Sequence, residues 1–146
     1  MLKMVVFVLL MGLPTFVGAQ NPVDGQRSES VVRALIDAGN RSDLEAWLSL
    51  FHPDAKHFVK SKSDDSLADR PSSRVVDSTS RRAFYQEIFA RPQKTRGEIV
   101  ELVSLGELVM SRGIFHRPEG RSHTLTVYRV RDGKIVDIWD VEQVAE

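Results

Sequence analysis

No cysteine occurs in the 146 residues. Disulfides and thiol chemistry are therefore excluded, and the chain must be held together by its core alone. An excess of charge of either sign is also lacking: twenty Lys and Arg balance twenty Asp and Glu, and no long basic run appears. Neither a nucleic acid nor an anionic membrane is an expected partner. Missing too are a G-x-S-x-G elbow, a glycine-rich phosphate loop and an H-E-x-x-H pair, so any chemistry has to come from side chains assembled in a cavity. Of the four histidines, His52 and His57 stand five apart across Pro53, and His116 and His123 flank a turn. One ion would need both distant pairs, and no carboxylate pattern supports it, so neither a metal nor a cofactor is expected.

What is present begins with an export signal. Lys3 precedes an apolar run from Met4 to Leu13, and Val17-Gly18-Ala19 offers a small-residue cleavage site. Pro14 interrupts the run well short of the roughly 20 apolar residues that span a bilayer. The expected organisation is a signal peptide over 1–19, a linker over 20–28 and one domain over 29–146. The product would be periplasmic or secreted, with no membrane contact after cleavage near Ala19. Without a cysteine, a lipoprotein anchor at that site is excluded.

From Ser28 the pattern is helical, with Val32, Leu35, Ile36 and Gly39 on one face; it predicts a helix over 29–38, stopped by Gly39-Asn40. Ser42 and Glu45 form a capping box for a second helix carrying Leu44, Trp47, Leu48 and Phe51, and Pro53 separates it from a short strand over 55–59. Asn40-Arg41-Ser42 matches a glycosylation acceptor, but a helix-to-helix junction explains the same residues. The polar stretch 60–80 reads as a solvated loop with a short strand near Val75-Val76, or as a lid. A third helix is expected over 81–90, then strands over 97–104 and 107–116. The last stretch, Thr124 to Val141, has two β-rich runs around Asp132-Gly133, a strong hairpin signal.

The hairpin register is open. A two-residue loop pairs Thr126 with Trp139. A three-residue loop over 131–133 collects Thr124, Thr126, Tyr128, Val136, Ile138 and Asp140 on one face, and Leu125, Val127, Arg129, Ile135, Asp137 and Trp139 on the other. Both faces carry apolar groups, so both should be covered. Helices followed by consecutive strands indicate an α+β fold.

The runs YRVRDGKIVDIWDV and IDAGNRSDLEAWLSLFHPDA resemble the SnoaL-like branch of the nuclear transport factor 2-like superfamily. The resemblance implies a cone-shaped α+β fold, a curved and mostly antiparallel sheet wrapped around three helices. It also implies a cavity for a small apolar or carbonyl-containing molecule, and frequent homodimers through the outer sheet face. That fold hosts isomerases and cyclases as well as non-catalytic binding domains. In SnoaL-like cyclases an aspartate on the last strand is the general base, and Asp140 matches it; the cyclases' histidine on the preceding strand is replaced here by Thr126.

The candidate chemistry is therefore proton abstraction by Asp140, with Tyr128 or Thr126 donating a hydrogen bond to the developing enolate. In the three-residue register Thr124 would orient Asp140, whose burial would favour a raised pKa. Ile138, Val136, Phe58 and Phe84 are the expected ligand contacts, with Tyr85, Phe89 and Trp139 as further aromatics of core or pocket. The alternative is an exported, non-catalytic binding or interaction domain using the same pocket.

Overall fold

A computed structural model describes residues 22–59 and 70–145. The expected signal peptide and residues 60–69 of the expected loop lie outside them. In chain order the elements are α1 (Pro22–Asn40), α2 (Leu44–Ser49), β1 (Phe51–Val59), β2 (Arg70–Pro71), α3 (Ser78–Phe89), β3 (Arg96–Leu105), β4 (Leu108–Arg117), β5 (Gly120–Arg131) and β6 (Lys134–Ala145). The six strands form one sheet in the order β2-β1-β6-β5-β4-β3. Every pairing is antiparallel except β1 with β6, which is parallel. This is the expected α+β architecture.

The expected linker is instead largely helical. Pro22 occupies the first helical position, where the N–H it lacks would have no partner in any case. Tertiary contacts then hold the turns that composition disfavours. Gly25 is buried against β3, where an added Cβ would lie 2.8 Å from Ser104 Oγ. The Ser28 hydroxyl donates to the Gly106 carbonyl at 3.2 Å, and Ser104 donates to Glu29 at 2.8 Å. The predicted apolar face docks as expected: Val31, Val32 and Leu35 pack on Val109, Tyr128, Val130, Ile135 and Ile138.

Several boundaries moved for local reasons. At the end of α1, Asn40 Nδ2 donates to the Gly97 carbonyl at 2.9 Å while its Oδ1 accepts from Gly97 N at 2.7 Å, which bears out the junction reading of Asn40-Arg41-Ser42. Ser42 is left-handed (φ 57°) and does not cap. Asp43 does, accepting from Ala46 N at 3.0 Å, and Glu45 pairs with Arg82 instead. Phe51 opens β1 rather than closing α2. The β1 register shifts between Phe51 and Lys56, around Pro53. There the carbonyls of His52, Pro53 and Ala55 accept from the buried Arg81 guanidinium. α3 starts three residues early because Asp77 caps it: its carboxylate accepts from Ser80 N at 2.7 Å, and Ser80 Oγ accepts from Asp77 N at 3.0 Å. Val75 is buried without forming a strand, and β2 lies at Arg70–Pro71.

The hairpin combines features of both registers. Asp132 and Gly133 both have positive φ, 51° and 73°, and make a two-residue loop that pairs Arg131 with Lys134. Val130 then pairs with Ile135, but Arg129 pairs with Asp137, leaving Val136 as a bulge. Beyond it the faces fall as the three-residue loop would set them, with different partners: Tyr128 opposes Ile138, Thr126 opposes Asp140 and Thr124 opposes Gln143. Ile135, expected on the outer face, is fully buried in the core, because it precedes the bulge.

Candidate functional site

Asp140 stands midway along β6 on the concave side of the sheet. The parallel partner β1 carries His57 opposite Ile138. The offset along the strands brings His57 Nε2 to 2.7 Å from Asp140 Oδ2. The other oxygen, Oδ1, lies 3.5 Å from the Thr126 hydroxyl, a long contact. The His57 side chain is 14% exposed and that of Asp140 49%. The carboxylate is thus reachable from solvent and held by an imidazole, rather than sealed in an apolar surround.

Two phenols complete the neighbourhood. Burial pushes Tyr85, on α3, and Tyr128, on β5, well above the ordinary tyrosine range, and the negative charge of Asp140 adds to both shifts. Arg81 opposes this slightly at Tyr85, as does a Thr126 hydrogen bond at Tyr128. Both therefore remain neutral O–H donors throughout the range in which an enzyme works.

A cavity of about 500 Å³ opens between the C-terminal end of α1, α2, α3 and the β3–β4 edge, with Ile36, Trp47, Tyr85, Phe89 and Phe115 among its walls. Its size suits a small organic ligand. Ile36 and Phe115 also border a small deeper void of about 10 Å³ lined by Ser111, Thr124, Thr126 and Tyr128, room for one water at most.

The predicted residues divide. Asp140, Thr126, Tyr128 and Ile138 do come together on the concave side, and Thr124 borders the deep void, out of register with Asp140. Val136 is the bulge residue. Phe58 lies on the opposite, convex face, its ring stacked on Trp139 at 5.4 Å. Phe84 packs edge-on to Tyr85 and under Arg74; of the α3 aromatics it is Tyr85 and Phe89 that reach the large cavity. The convex face also holds Arg129, 2.8 Å from Asp137 and over the Trp139 ring. His116 pairs with Glu98 on β3, not with His123, and His52 accepts from Asp54 N within β1 rather than capping a helix. Among the described residues no three His, Asp or Glu side chains cluster. His57 is the functional candidate that sequence reasoning missed. Its five-residue spacing from His52 drew attention to a metal, whereas its partner lies 83 residues away.

Residues 32–138 match the SnoaL-like domain family, and the chain belongs to it. Solved structures with the same cone fold include a candidate ketosteroid isomerase from Kribbella flavida (15% identity, 82% of each chain covered, TM-score 0.64). They also include IdmH, a candidate polyketide cyclase from Streptomyces antibioticus (22% identity, 82% of this chain and 91% of that one, TM-score 0.63). A computationally designed 17-OHP binder shares the fold at 16% identity, over 82% of this chain and 96% of that one, with a TM-score of 0.62. No curated protein sequence matches the chain.

Proposed function

We propose that this chain is a cofactor-independent enzyme that moves a proton at carbon, acting on a small carbonyl compound held in the cone. The observation that carries the reading is the 2.7 Å contact between His57 and Asp140 beside two neutral phenols. Asp140 removes the proton next to the carbonyl, and the C–H electron pair becomes that of an enolate. A Tyr85 or Tyr128 hydroxyl donates to the enolate oxygen. His57 takes the proton from Asp140 and returns it, through Asp140, to the same or a conjugated carbon. The imidazole that Thr126 does not supply thus comes from β1.

The test is α-proton exchange in D₂O, followed by NMR for carbonyl compounds first found to bind. Asp140→Asn should slow exchange by roughly 10²–10⁴-fold while leaving ligand affinity intact, the usual span for a general base. Equal exchange by wild type and Asp140→Asn with a bound compound would remove the enzyme reading. The non-catalytic binding domain is then the reading that stands; the half-exposed Asp140 carboxylate favours it.

In this proposal the chain works outside the cytoplasm after cleavage near Ala19, and it pairs with a second copy through the convex face. Support for pairing comes from a row that crosses five strands, Val103, Met110, Val127, Trp139 and Phe58. Val103 is 47% and Met110 41% exposed.

A further inference from the structure

We propose that Arg81 is a positioning residue: from α3 it holds the irregular start of β1 in the one register that brings His57 to Asp140. This rests on the His57–Asp140 contact being the working site and adds what keeps that contact in place.

Slack in β1 makes such a hold necessary. Phe51 pairs with Ile135 and Lys56 with Asp137, so five steps along β1 are matched by only two along β6. Three residues of β1 are therefore surplus, and His52, Pro53 and Asp54 are all exposed between the buried Phe51 and Ala55. Pro53 has no N–H with which to fix them in a ladder. Absorbing just one of the three into regular pairing would move His57 about 3.3 Å along β6 and turn its side chain to the convex face. The 2.7 Å bond to Asp140 survives neither change.

Arg81 grips this slack from outside the sheet. Its Nη1 donates to the carbonyls of His52 and Pro53 at 3.4 and 3.5 Å, and its Nη2 donates to that of Ala55, two residues before His57. A planar fork suits the task, because its donors meet several acceptors in fixed directions. The guanidinium carbon also lies 5.1 Å over the ring of Phe51, where the surplus begins. Downstream the backbone holds the strand: Ser72 N donates to the His57 carbonyl at 2.7 Å, and β2 pairs with Phe58 and Val59.

The energetics argue that the residue is kept for this contact. Arg81 is only 4% exposed. Burial pulls its pKa below the usual arginine range, and Asp77 and Asp54 oppose this without bonding to it. It is also the fourth residue of α3, at the helix end that disfavours a cation. An apolar side chain of similar volume would avoid both costs. What it could not do is bond the β1 carbonyls.

The experiment follows the His57 imidazole by 15N NMR of the whole chain, its signals assigned by their loss in His57→Gln. In the wild-type background Asp140→Asn should shift them, because it removes the carboxylate that Nε2 meets. In Arg81→Lys, which keeps the charge and most of the stem, the same change should shift them much less, and in Arg81→Met hardly at all. Val109→Ala, at a buried position on β4, controls for lost stability and should leave the response intact. Turnover gives a second readout: Arg81→Lys should lower kcat for α-proton exchange roughly tenfold or more. KM should barely change, since Arg81 does not border the large cavity. A folded Arg81→Lys or Arg81→Met chain whose His57 answers Asp140→Asn as fully as wild type would overturn the proposal. So would a wild-type His57 indifferent to Asp140, or an Arg81→Lys chain unable to fold, which would make Arg81 a requirement of the whole fold. A chain whose His57 depends on Arg81 but that exchanges no α-protons loses only the catalytic reading. One that exchanges them while His57 ignores Arg81 loses only the brace.

Discussion

The two faces of the sheet are made by the same strands and differ in almost every other respect. On the concave side, Tyr128, Thr126 and Ser111 are buried, and Asp140, opposite Thr126, meets His57. On the convex side a row of mainly aliphatic and aromatic residues is left partly open, flanked by ion pairs such as Arg129–Asp137 and Arg131–Glu107. Most of the polar groups around the proposed site are thus enclosed, Asp140 excepted, and apolar ones are exposed where a second subunit would cover them. The difference depends on residue parity, which single bulges control. Val136 is what turns both Ile135 and Ile138 inward although they are three apart.

Substitution should break this asymmetry unequally. Ile135→Ala, at a fully buried position, should cost about 2–5 kcal/mol in denaturant unfolding. Val103→Ser on the convex face should cost less than about 0.5 kcal/mol in the isolated subunit. Comparable costs would mean the faces are not distinct. Met110→Glu comes next: placing a carboxylate in the proposed contact should weaken self-association at least tenfold by analytical ultracentrifugation, with the monomer still folded. A wild-type chain that sediments as a monomer at high concentration would remove the pairing.

The mildest probe changes no residue. The chain's two tyrosines, Tyr85 and Tyr128, are both raised by burial and by Asp140. In the unfolded chain each ionises near pH 10. Their contribution to stability is therefore complete below that pH and is lost as pH rises above it toward the folded values. Absorbance at 295 nm should stay flat past pH 10 and then rise for both tyrosines as the chain unfolds. A phenolate signal from the folded protein near pH 10 would mean that a tyrosine is on the wet side. The two tryptophans sharpen the same contrast, since Trp47 borders the cavity and Trp139 lies on the convex row. Ligand should move the fluorescence of the first, and dilution that of the second.

How much of this was written locally follows from the physics of each element. Alternation and Asp132-Gly133 located the hairpin, and its faces could be narrowed to two sets because parity has only two values. The α1 face was legible from 3.6-residue spacing, while its first two turns were not, since Gly25 disfavours helix and contacts with Ser104 and Gly106 offset that. Asp140 was found because it continues the pattern of Ile138 on one strand. Phe58 was put on the wrong face because the β1 register breaks around Pro53, so its parity could not be carried across. His57 was invisible as a partner for Asp140 because a parallel pairing between the first and last long strands leaves no mark in either.

That parallel pairing has a consequence in time as well as in space. The β3–β6 meander can assemble from neighbouring segments, whereas His57 and Asp140 meet only after a chain closure of 83 residues. Contacts so distant in sequence repay their loop entropy late. The His57–Asp140 contact is therefore among the last features to form during folding, and its appearance reports that the whole cone has closed.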